Sequence, residues 1–220
     1  MKNIFYIILM ISTLFFLQAC SADEEVATTA ASQTMTDATG ASVSLDGNYV
    51  IKCNGTSYGS THSFNKQEIV ISGTNYTETF AQFNDTDCDN STSTSKTVLT
   101  FAVGSATSTV SDNSSKDGLA VTKIVLAVQS STLTIHQASL VTSSNNMKMY
   151  GYSDWAVDVE KETWGLNEDG TVVEAEVVGY KINAIWHVSG TSLTFGDTQG
   201  IDRTKVYPTE LDNSMVFIKD

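Results

Sequence analysis

The segment GYKINAIWHVSGTSLTFGD, residues 179–197, alternates apolar and polar side chains through Trp186, breaks at Ser189-Gly190-Thr191, and resumes with a second short apolar run. A period of two puts Tyr180, Ile182, Ala184 and Trp186 on one face and His187 on the other, as a half-buried strand requires. The break is short enough to be a hairpin turn. The same signature recurs outward along the chain in NYVIKC, KQEIVISG, YTETFAQF, KTVLTFAVG, LAVTKIVLAV, STLTIHQ, NMKMYGY and SMVFIKD, with Gly, Asn, Asp and Ser clusters between the runs. About ten strands at hairpin spacing predict an all-β domain over 44–220: an antiparallel up-and-down β-barrel, with a β-sandwich as the alternative. SDWAVDVEKETWGLNEDG, residues 153–170, is charged and lacks alternation, so a short helix or excursion is expected there, with Ser153 as a cap.

The N-terminus has a different character. Lys2 precedes an apolar run of 14 residues, Ile4 to Leu17, shorter than the roughly 20 that a membrane-spanning helix needs. This is signal-peptide anatomy. Leu17-Gln18-Ala19-Cys20 resembles the lipobox of bacterial lipoproteins. The resemblance implies a signal peptide over 1–19, cleavage before Cys20, and acyl lipid such as palmitate on Cys20. Ser21 after the cysteine implies delivery to the outer membrane of a bacterial envelope. Residues 20–43 are small and polar without apolar periodicity and read as a disordered tether, with a reach of roughly 25–30 Å. With Cys20 consumed by lipid, Cys53 and Cys88 remain as an even pair in an oxidising compartment and are expected to form a disulfide.

DGNYVI contains Gly47-x-Tyr49, which is similar to the Gly-x-Trp that opens the first strand of lipocalins, and the chain closes on a hairpin, a loop holding its one proline, Pro208, and a last strand. The whole is similar to small lipocalin-like bacterial lipoproteins. The resemblance implies a barrel that holds a small apolar ligand and does no catalysis. It makes Tyr180, Ile182 and Trp186 the candidate ligand-binding residues.

Charge excludes one class of partner. With 25 acidic and 12 basic side chains the formal charge is −13, which repels nucleic-acid phosphates. Asp85, Asp87 and Asp89 occupy the first three ligand positions of an EF-hand loop, but Lys96 stands where that loop needs a bidentate glutamate, so a polar turn around Cys88 is the simpler reading. His62, His136 and His187 have no metal-ligand spacing. Glu174 and Glu176 share a strand face and could pair as hydrolytic carboxylates, though alternation in a half-exposed strand explains them. No nucleophile elbow or phosphate loop occurs, and the Asn-x-Ser/Thr sequons at Asn54, Asn75, Asn84, Asn90 and Asn113 read as loop composition. Trp155, Trp164, Trp186, Tyr150, Tyr152 and Tyr180 are candidates for a pocket lining or a core. The expectation is a monomeric, lipid-anchored carrier of a small apolar ligand, not an enzyme and without a cofactor. The alternative is a structural or adhesive surface module.

Overall fold

The computed structural model describes residues 31–37, 39–58, 61–109, 118–163, 166, 179–198 and 200–220. Eight antiparallel strands close into a barrel: β3 (Gly47–Tyr58), β4 (Thr61–Ser72), β5 (Asn75–Phe83), β6 (Ser91–Ser108), β7 (Ala120–Ile135), β9 (Lys181–Ser189), β10 (Ser192–Gly196) and β11 (Leu211–Lys219). Each pairs with its neighbour in the chain, and β11 returns to β3 through Ile218↔Val50 and Lys219↔Tyr49. The up-and-down barrel expected from the alternation is therefore the fold. Full closure leaves none of the eight strands as an open edge along its whole length.

The inward positions of the lower half are large and apolar. Tyr49, Ile69, Ile71, Phe101, Ile124, Trp186, Val188, Leu193 and Phe217 fill it as one buried cluster. Trp186 lies at its centre, with the rings of Phe101, Phe195 and Tyr76 at 5.1, 5.4 and 5.7 Å. Gly47 and Gly55 leave room for what crosses them: a Cβ at Gly47 would meet Lys219, and one at Gly55 would meet the Phe64 ring.

The lower end is closed by a segment expected to be tether. β1 (Thr34–Thr36) and β2 (Ser42–Ser44) form an antiparallel hairpin in which Met35 and Val43 are directly opposite. Met35 is 3% exposed and belongs to the barrel's core, with Val43 packed against it. The Asp37 carboxylate holds the turn by accepting from the Thr39 and Ala41 backbone N–H groups and the Thr39 hydroxyl at 2.9, 2.9 and 2.7 Å. These bonds hold its pKa below the usual carboxylate value. The polar composition hid this element because only Met35 and Val43 face the core.

β6 and β7 run 18 and 16 residues and overshoot the barrel at its upper end. The overhang carries the excursion between β7 and β9. Its helix, α1 (Ala138–Met147), lies ahead of the stretch where one was expected, and NMKMYGY is the end of that helix and a 3-10 turn instead of a strand. Ser153–Val159 is irregular with one turn at Val157–Asp158, and β8 (Glu160–Glu162) pairs with the end of β7. α1 is held from outside: the Asn145 side chain accepts from the Trp155 N–H at 2.6 Å and donates to the Trp155 carbonyl at 3.0 Å. Only Ser144 of the helix is buried, so it shows no apolar stripe to the eye. Trp155 is buried in this excursion, where its indole N–H donates to the Met149 carbonyl at 3.1 Å.

Candidate functional site

Above the packed lower half, the barrel holds a cavity of about 290 Å³. Its floor is Tyr76, Trp186 and Phe195. Its walls are Leu99 from β6, Leu126 and Val128 from β7, Ile182 and Ala184 from β9, and Met215 from β11. The β10–β11 loop supplies Thr198, Arg203 and Pro208 at the rim. Alternation puts these side chains inside: Leu126 faces Ile182 and Ile124 faces Ala184 across the β7–β9 ladder.

Two charged groups stand in this mostly apolar lining. Glu78 is on β5, two residues beyond Tyr76 and hence on the same face, and opposite Thr97. Its Oε2 accepts from the Tyr76 hydroxyl at 3.2 Å. Burial raises its pKa, outweighing the opposing effects of the Tyr76 bond and of Arg203. Arg203 is the one arginine of the chain. Its backbone is stitched to β9, the Asn183 N–H donating to the Arg203 carbonyl at 2.9 Å, while its Nε donates back to the Asn183 carbonyl at 3.4 Å. Partial burial lowers its pKa, and the charge of Glu78 works against that. Among the described residues no ion pair joins Arg203 to a carboxylate.

The loop carrying Arg203 is shaped locally and pinned at both ends. The Asp202 carboxylate accepts from the Thr204 N–H at 3.1 Å and the Thr204 hydroxyl at 2.6 Å, and pairs with Lys205 at 2.6 Å, which brings its pKa to about 2. Tyr207 lies outside the barrel against Val121 and Ile185, with the Lys123 ammonium 4.9 Å from its ring centre. Pro208 packs on Gly196, where a Cβ would come within 2.6 Å of both Pro208 and Ile185.

Of the residues expected to bind ligand, Ile182 and Trp186 line the cavity. Tyr180 does not: it precedes β9, and its carbonyl accepts from the Val128 N–H at 3.2 Å. His187 points outward, its Nδ1 2.7 Å from the Ala120 carbonyl. Trp155 and Tyr152 meet edge to face, with ring centres 5.6 Å apart, in the excursion, away from the cavity. Cys20, Trp164, Glu174 and Glu176 lie outside the described residues, as do the signal peptide and half of the tether. Tyr76, Glu78, Phe195 and Arg203 were not anticipated.

Cys53 and Cys88 form the expected disulfide, with Cα atoms 5.8 Å apart, and tie β3 to the β5–β6 loop. In that loop the Asp85 carboxylate accepts from the backbone N–H groups of Asp89 and Asn90 at 3.0 and 3.2 Å, which lowers its pKa. The aspartates thus build their own turn, and among the described residues no group of three or more His, Cys, Asp and Glu side chains converges on a metal position. His136 sits between the Asp158 carboxylate at 2.7 Å and the Thr94 hydroxyl at 2.9 Å. This chain latches the excursion to the outer face of β6.

Comparison with protein-family models and with curated proteins finds no match for this chain.

Proposed function

We propose that this chain is an envelope-anchored, lipocalin-like lipoprotein that binds a small, largely apolar ligand in the upper half of its barrel. The observation that carries the reading is the division of the interior. The lower half is filled by one cluster of buried apolar side chains, whereas the upper half leaves about 290 Å³ between Trp186 and the β10–β11 loop. That volume is near the low end of the range for small-molecule sites, and an apolar wall with a few polar groups is their usual chemistry. It suits a compact or medium-chain molecule better than an intact diacyl lipid.

The anchor belongs to the same reading. Residues 21–33 separate Cys20 from the β1–β2 hairpin in the sequence. The hairpin is at the closed end of the barrel. A lipid on Cys20 therefore attaches at the closed end of the barrel, opposite the cavity mouth. Cys20→Ser should abolish labelling by a fatty-acid precursor and release the protein from membranes. A variant that stays labelled and membrane-bound is incompatible with the anchor.

The filled lower half is what favours the alternative, a structural or adhesive module. Titration of the purified chain with fatty acids, isoprenoids and phospholipids separates the two. Saturable quenching of tryptophan fluorescence by at least one medium-chain member supports the carrier. Absence of saturable binding across the panel leaves the structural module.

A further inference from the structure

The cavity has a polar side whose chemistry is more selective than its apolar floor. Of the polar groups at the rim, most already have partners. The Asp212 carboxylate accepts from the Ser214 N–H at 2.9 Å and from the Ser214 hydroxyl at 2.5 Å. The Thr97 hydroxyl is bonded to the Ser131 hydroxyl at 3.1 Å. Arg203 and Glu78 differ. Arg203 uses only Nε toward protein, so among the described residues its two terminal amino groups have no acceptor. Glu78 takes one bond, from Tyr76 to Oε2, which leaves Oε1 open. Both side chains line the cavity, and each feels the other's charge without pairing with it.

A donor fork and an acceptor held apart over an apolar floor constrain the head of any amphiphile that enters. A carboxylate would satisfy Arg203 but would bring a second negative charge against Glu78. An ammonium would satisfy Glu78 but would meet the fixed charge of Arg203. A head with an acceptor alone leaves the carboxylate unanswered, and polar groups shut away from water without partners are costly. A neutral head carrying both a donor and an acceptor answers both at once.

We propose that the cavity selects neutral amphiphiles whose head presents a carbonyl oxygen to Arg203 and an N–H or O–H to Glu78, as a primary amide on a medium apolar chain does. This rests on the carrier reading above and adds the class of ligand.

The test uses the purified chain loaded with the neutral dye N-phenyl-1-naphthylamine, displaced in turn by octanamide, octanoate, octylamine and methyl octanoate. Octanamide should compete about tenfold more strongly than each of the other three, the size of one hydrogen bond to a charged group. Arg203→Met and Glu78→Leu should each bring octanamide to within about threefold of methyl octanoate, read against the dye affinity of the same variant. A cooperative urea melt with the wild-type m-value shows that the variants fold. Equal competition by all four molecules, a preference for octanoate or octylamine, or an amide preference that survives both substitutions overturns the assignment and leaves the carrier reading standing. Failure of the dye and of all four molecules to bind overturns both. Should a variant fail to fold, the ranking on the wild-type chain alone decides.

Discussion

Ala184→Leu separates an open cavity from a packed core by the sign of its effect. Ala184 is on β9 between Ile182 and Trp186, faces inward, and lines the cavity. Leucine adds three carbons at that point. At about 0.8 kcal/mol per buried CH₂ they gain up to about 2.4 kcal/mol if they fill empty or solvated space. Ordering the leucine side chain costs about 0.5–1 kcal/mol, which leaves a net stabilisation of about 1–2 kcal/mol. Were the site already filled, the same carbons would cost about 1–3 kcal/mol in strain. Urea unfolding of both proteins, with the m-value held as the check on compactness, distinguishes the two signs. The added volume also occupies the ligand's space, so affinity for N-phenyl-1-naphthylamine should fall about tenfold or more. A destabilised variant that binds the dye as well as wild type would refute the placement of the cavity against β9.

Three further outcomes follow from the same geometry. Met35→Ala should destabilise by about 2–5 kcal/mol, because Met35 is part of the core, and a loss below about 0.5 kcal/mol in denaturant melts would return the hairpin to the status of a tether. Replacing Cys53 and Cys88 together by alanine opens a 36-residue loop (a sequence separation of 35) and should cost about 4 kcal/mol on the chain-entropy model, while reductant should affect wild type alone. Glu78→Gln should leave stability near wild type at about pH 3, where the carboxyl is neutral in both states, and exceed it at about pH 7. The sign follows because burial raises the native pKa above 4.5: the stability attached to the neutral carboxyl is present below that value and is lost as pH rises through the native pKa. Paired melts whose difference does not change with pH would remove burial of Glu78 from the account.

Alternation carried the fold. YKINAIW correctly sent Ile182 and Trp186 inward and His187 outward, because a two-residue period needs no tertiary information. Tyr180 stands one residue before the strand, which begins at Lys181, and does not line the cavity; element ends are not set by periodicity. Tyr76 and Glu78 share a face in YTETF, so their placement was legible, but a glutamate in a strand reads as solvent-facing until the barrel closes around it. Arg203 left a trace in composition as the one arginine among 12 basic residues. Its position over the cavity depends on how the β10–β11 loop folds back on Gly196 and Ile185, which no local pattern encodes. Met35 and α1 were missed for a related reason. One methionine in a polar run is ordered by core contacts distant in sequence, and a helix rich in Ser and Asn is held by the bonds of Asn145 to Trp155 beyond its end.

Methyl NMR of the isotope-labelled chain, titrated with N-phenyl-1-naphthylamine, tests most directly that the upper half of the barrel is a ligand cavity. The account predicts saturable shifts, complete at one equivalent, for Leu126, Val128, Ile182 and Met215 on the cavity wall, with no change at Val70 and Ile218, which are exposed apolar side chains away from the cavity. Shifts confined to Val70 and Ile218, or none that saturate, would contradict it.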